Sequence, residues 1–217
     1  MTKPQWKPDE SKIMDLDEVK RLRNVLRGRA VVDLAKGRRT GVVRWAVVDL
    51  ALTAGLRVSE IAALSVGDLR ENGSRPQLTV RQGKGGKKRT IPLSGPLANL
   101  KTHLAEFVEW KRHAKQPTDP DSPLFAAQMH GEWRHYTPDA LKYQFKQALS
   151  EAGIDSARYS IHCARHTALT YLYKLTKNLR LVQDIAGHSS PTTTAHYARI
   201  VNGWEDLEAF GNGGLYD

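Results

Sequence analysis

Near the C-terminal end, His162-Cys-Ala-Arg165-His-Thr, Gly187-His188-Ser-Ser and Thr194-Ala-His-Tyr197-Ala-Arg follow one another; Gly55-Leu-Arg57-Val-Ser-Glu60 and Gly83-Lys84-Gly lie upstream. These residue types suit the cleavage of a phosphodiester, which needs a nucleophile, a cationic cradle for the phosphate oxygens and an acid for the leaving group. A tyrosine hydroxyl can attack phosphorus and store the bond energy as a phosphotyrosine, without ATP or a metal. Arginines suit the cradle because the guanidinium fork offers paired donors and stays charged. His162 and Arg165 are three apart, so one helical face can bring both to one phosphate.

Taken singly, each residue also has an ordinary reading. Arg57 can form a surface ion pair with Glu60, which would orient the arginine or nearby backbone. A lysine in a glycine-rich turn, such as Lys84, is usually solvated. The phosphate-loop pattern GxxxxGK[ST] is absent, and the segment lies in a hairpin rather than between a strand and a helix. His188 can cap a helix against its dipole, and Tyr197 can be a half-buried aromatic like Tyr171 and Tyr173. His162 and His166 have metal-ligand spacing, but the HExxH motif needs Glu where Cys163 stands, so no metal is expected. His166 reads as a packing residue that bonds backbone.

Order and spacing together resemble the catalytic boxes of the tyrosine recombinases, the phage integrase family, over about residues 12 to 203. The resemblance implies Arg57 and Arg165 as phosphate clamps, with Glu60 supporting. It makes His162 the acceptor or relay of the tyrosine proton, or a phosphate ligand. Lys84 is the acid for the departing 5′ oxygen, His188 a donor to a phosphate oxygen, and Tyr197 the nucleophile. Lys87, Lys88 and Arg89 would hold DNA backbone nearby. The implied reaction is site-specific recombination through a 3′-phosphotyrosyl intermediate and a four-way junction. Double-stranded DNA is the partner, with a monomer free in solution and four protomers on two sites, and room for an accessory protein. No cofactor is implied. Two alternatives stand beside it: a type IB topoisomerase-like relaxation of DNA with a similar residue set, and a non-catalytic DNA-binding remnant of a mobile element.

These boxes must be positioned by a scaffold, and the chain is long enough for one: 217 residues, 40% hydrophobic and 26% charged. A net charge of +10 favours a polyanionic partner; Arg38 and Arg39, in Lys36-Gly-Arg-Arg, are further candidates for DNA contact. One cysteine, Cys163, excludes an internal disulfide. With neither an apolar signal core nor a membrane-length apolar run, a cytoplasmic protein is expected.

Apolar residues at 16, 19, 22, 25 and 26 predict a helix capped by Asp15 or Asp17. Gly41 to Ala54, apolar on most sides, predicts a central helix ended by Gly55, with a short one from Ser59 to Leu64. Residues 77–81 and 89–93 predict a β-hairpin with a glycine–lysine tip. Helices are expected at about 96–113, from Thr137-Pro138 to Gly153, and at about 161–175, 178–187 and 191–199, with Tyr197 in the second turn of the last. The expected fold is mainly α with a small antiparallel β-sheet, the type IB topoisomerase-like catalytic-domain fold of the resembled family. The expected division is a flexible segment at 1–14, a catalytic domain at 15–203 and a tail at 204–217. The family's N-terminal core-binding, SAM-like domain is expected to be absent. Trp204, Leu207 and Phe210 of the tail could dock on a neighbour or on their own domain.

Overall fold

The computed structural model describes residues 10–81 and 88–202, without the side chain of Arg199. Helix α1 (Leu16–Ala35) begins at Asp15, whose Oδ1 accepts from the Glu18 N–H at 2.7 Å while Glu18 Oε2 accepts from the Asp15 N–H at 3.1 Å. This reciprocal cap satisfies two N-terminal donors of the helix. The predicted period reaches only to Leu26, yet the helix runs to Ala35. Its last turns carry exposed Val31, Val32 and Leu34, so apolar periodicity fades while the backbone continues. Ahead of α1, Glu10–Lys12 form a 3-10 turn and Ile13 and Met14 are buried. The Met14 N–H donates to Thr167 Oγ1 at 3.0 Å and its carbonyl accepts from the Tyr171 hydroxyl at 3.2 Å.

Helix α2 (Thr40–Ala54) is buried on nearly every side and packs against α1, α4 (Ala98–His113), α5 (Pro138–Glu151) and α6 (Ile161–Thr176). Truncating one of its fully buried leucines, such as Leu50, would cost about 2–5 kcal/mol. Gly55 ends it with φ 58°, and an added Cβ there would meet Leu169 of α6 at 2.9 Å. Helix α3 (Val58–Ala62) follows at once.

Strands β1 (Leu69–Arg70), β2 (Gln77–Val80) and β3 (Arg89–Pro92) form an antiparallel sheet in that order, with Leu78 opposite Ile91. A second hairpin, β4 (Ala126–Met129) and β5 (Glu132–His135), stands apart from it. The expectation of one small sheet is therefore corrected to two among the described residues. The missed hairpin is mostly exposed, so no alternation of buried apolar residues marks it. Thr137 caps α5 ahead of Pro138 as expected, its Oγ1 accepting from the Ala140 N–H at 3.1 Å. Helices α6, α7 (Leu179–Ala186) and α8 (Pro191–Asn202) close the domain. Among the described residues no helix is long and apolar enough to cross a membrane.

Candidate active site

Arg57 sits in extended backbone immediately before α3, and Glu60 in the first turn reaches back to it. Glu60 Oε2 accepts from the Arg57 N–H at 2.8 Å, and Oε1 from Arg57 Nη1 at 2.8 Å. Arg89, carried in on β3, grips the same carboxylate with Nη1 at 2.8 Å and Nη2 at 2.9 Å. Arg165 Nη1 of α6 lies 3.8 Å from Glu60 Oε2. Burial works against the Glu60 charge. The bonds from Arg89 and from the Arg57 backbone outweigh it and hold the carboxyl down at about 2.

Arg165 is 2% exposed, the largest fully buried side chain among the described residues. Its Nη1 donates to the Gly55 carbonyl at 2.7 Å and its Nη2 to the Ala186 carbonyl at 2.8 Å. Both carbonyls lie at helix ends, where the backbone has no intrahelical donor. One guanidinium thereby ties together the ends of α2 and α7. Burial and then the neighbouring Arg57 charge lower Arg165 to about 10. Gly187, just past α7, has φ 62°, and a Cβ there would stand 3.0 Å from the Arg89 guanidinium carbon. The glycine of the Gly187-His188 pair is thus required twice, by its backbone and by the arginine lying against it.

His188 faces Arg165, with Nε2 3.1 Å from Nη2. A guanidinium only donates, so Nε2 accepts and the ring proton lies on Nδ1, 3.0 Å from Thr194 Oγ1. In this geometry Nε2 is engaged by Arg165 and the ring proton by Thr194. Burial, then Arg165 and Arg57, lower His188 to about 4. Its ring lies parallel to Tyr197, centroids 6.3 Å apart.

Tyr197 rides in the second turn of α8, completely buried. Burial raises its hydroxyl to about 12, against the opposing pull of Arg165 and Arg57. That hydroxyl is 2.9 Å from Nδ1 of His166. The expectation that His166 packs and bonds backbone is corrected: it meets the tyrosine itself. The helical rotation of α6 turns position 166 toward α8, while His162 stays exposed with its ring edge-on to His166, centroids 4.4 Å apart. Partial desolvation, Arg165 and Arg57 lower His162.

The remaining expected residues are divided. Arg89, expected at the DNA backbone, here braces the cluster from within: both its terminal nitrogens hold Glu60 and its Nε donates to the Ile185 carbonyl at 2.9 Å. Lys88 is exposed beside β3. Lys84 and Lys87 lie outside the described residues, as do Trp204, Leu207 and Phe210. Arg38 and Arg39 are exposed between α1 and α2, with Arg39 5.0 Å from the centroid of the Trp133 ring, and no described contact links them to the cluster. Among the described residues no group of three or more His, Cys, Asp or Glu could hold a metal. Around Glu60, three guanidiniums face one carboxylate, and the adjoining imidazoles are held neutral near pH 7. Two positive charges stay uncompensated beside a tyrosine hydroxyl, which suits an oxyanion next to a nucleophile.

The model of the phage integrase family matches residues 12–202. The chain is 32% identical over 154 residues to tyrosine recombinase XerA of Pyrococcus furiosus, covering 71% of this chain and 49% of that protein. It is also 32% identical over 191 residues to tyrosine recombinase XerD of Caulobacter vibrioides, covering 87% and 57%. The chain spans about half the length of these curated relatives. Among solved structures, a XerA recombinase superposes with a TM-score of 0.66 at 23% identity, over 90% of this chain and 60% of that one. A lambda integrase tetramer bound to a Holliday junction gives 0.63 at 18% identity, over 95% and 53%. At these identities the superpositions establish the fold.

Proposed function

The chain belongs to the phage integrase family, and from that premise we propose that it cuts and rejoins double-stranded DNA as a site-specific tyrosine recombinase. Arg57 and Arg165 clamp the nonbridging oxygens of the scissile phosphate. The Tyr197 oxygen attacks phosphorus and forms a P–O bond, the bond to the 5′ oxygen breaks, and a 3′-phosphotyrosyl link remains. The phenol proton passes to His162, and the departing 5′ oxygen takes a proton from Lys84. A 5′ hydroxyl of a partner strand then reverses the step, so the phosphodiester energy is conserved and no cofactor is consumed. Four protomers on two DNA sites complete the exchange, as the relatives' assemblies on DNA suggest by analogy.

The observation that carries this reading is the uncompensated positive charge of Arg57, Arg89 and Arg165 around Glu60, placed beside the hydroxyl of Tyr197 of the same chain. A protein that only bound DNA would spend such cations on the surface, where they cost no desolvation. The test uses nicked suicide duplexes drawn from DNA flanking the chain's own coding sequence, beside Tyr197→Phe. An SDS-resistant adduct with tyrosine and none with phenylalanine is expected. A folded protein that binds these duplexes and forms no adduct would overturn the assignment in favour of a DNA-binding module. Relaxation of plasmid supercoils without strand exchange would move it to a topoisomerase-like role.

A further inference from the structure

We propose that His166 is the positioning residue for the nucleophile: its Nδ1 fixes the Tyr197 hydroxyl at the edge of the arginine cluster. The inference rests on the reading of Tyr197 as nucleophile. A phenol hydroxyl swings on a long lever, since rotation about the Cα–Cβ bond moves the oxygen through several ångströms. Attack needs reacting atoms held at about 3–3.5 Å and aligned. Packing fixes the plane of the ring, with His188 parallel to it on α8's approach. The oxygen itself needs a directional partner, and the described hydrogen bond to it comes from His166 at 2.9 Å.

His166 is built to hold that place. It is buried at 7% exposure on α6, one residue after Arg165, so one helix carries both the phosphate clamp and the holder of the nucleophile. A shift of α6 moves the two together and preserves their spacing. His162, one turn earlier, braces the His166 ring edge-on. Burial, then the His162, Arg165 and His188 neighbours, keep His166 neutral, lowering it to about 3. A neutral imidazole can share a proton with a neutral phenol without adding a fourth positive charge to the cluster. The same cations make it a poor place to leave a proton, which favours holding over general-base work.

Substitution at 166 separates positioning from packing. His166→Phe keeps the ring and loses the hydrogen bond. His166→Asn is smaller, yet its side-chain amide reaches the place of Nδ1. The readout is the single-turnover rate of adduct formation on nicked suicide duplexes, with DNA affinity and melting temperature measured alongside. We expect His166→Phe to slow adduct formation by about 100-fold, the scale of a 1 Å misplacement, at unchanged DNA affinity. His166→Asn is expected to recover most of the rate despite its poorer packing. A packing role predicts the reverse order. Substrates with a sulfur in place of the bridging 5′ oxygen need no leaving-group acid, so the His166→Phe defect should persist on them. Equal rates for wild type and His166→Phe would overturn the proposal. So would equal loss in both variants, or a defect that the sulfur substrate removes. If His166→Phe does not fold, His166→Asn against wild type still decides, because near-normal rate is required. Absence of adduct from the wild-type chain would instead count against Tyr197 as nucleophile.

Discussion

Asp49 and Glu60 are both buried carboxylates, each less than 4% exposed, and both are held by arginine. Asp49 of α2 meets Arg23 of α1 at 3.0 Å and His103 Nδ1 of α4 at 3.0 Å, while Arg23 also donates to Thr53 at 2.5 Å. One guanidinium against one carboxylate balances, and the group cross-links three helices. Glu60 is held by Arg57 and Arg89, with Arg165 3.8 Å away, so positive charge exceeds negative. The same chemistry makes a charge-balanced clasp in one place and leaves an excess of positive charge in the other. Charge balance tells them apart, where burial and hydrogen bonding do not.

The two carboxylates part most clearly when each is neutralised. Asp49→Asn and Glu60→Gln should each lower stability by about 3–5 kcal/mol, because a buried cation loses its partner. Adding inorganic sulfate should recover part of the loss for Glu60→Gln and none for Asp49→Asn, read as the urea midpoint with and without the anion. Equal recovery in both, or in neither, would remove the distinction. Gly187→Ala comes next. A left-handed φ and a 3.0 Å approach to Arg89 together predict a loss of about 2 kcal/mol and a slower adduct, measured by denaturant unfolding beside the single-turnover rate.

Much of this site was legible in the sequence, for a physical reason. Arg57, Glu60, His162, Arg165, His188 and Tyr197 lie in short frames whose order resembles the boxes of the family, and that resemblance, rather than any one spacing, implied that they converge. The Arg57–Glu60 contact follows from an i, i+3 spacing. Arg89 was not legible as a brace, since its pairing with Glu60 joins a strand to a distant helix and depends on tertiary packing. His166 was missed because residues 162 and 166 share a face of α6. Which of them meets α8 depends on a rotation that no local pattern encodes. In the fold, the buried helix α2 was plain from apolar content. The exposed hairpin β4–β5 and the last turns of α1 carry no such signal.

A smaller effect sharpens the contrast further. If the Glu60 cluster is an anion site, inorganic phosphate at ten times its dissociation constant should stabilise the wild-type chain by about 1.4 kcal/mol. Arg57→Ala should abolish that shift in a thermal melt, and His103→Gln, at the balanced clasp, should leave it intact. The pH dependence is gentler still. His188 and His166 fall to about 4 and about 3 in the folded chain, below the unfolded value of about 6.5. The unfolded chain therefore takes up protons first as pH falls. Stability present above pH 6.5 is lost toward pH 3, at no more than about 1.4 kcal/mol per pH unit for each group. His166→Asn should flatten the slope of melting temperature between pH 6 and 4; an unchanged slope would contradict the burial of a neutral imidazole there.

The most direct test of the account is to find where the DNA becomes attached. After reaction with a nicked suicide duplex and nuclease digestion, peptide mass spectrometry should locate a nucleotide phosphate on Tyr197 alone. Attachment at Tyr171, Tyr173 or any other residue, or a folded, DNA-bound chain carrying no attached nucleotide, would contradict it.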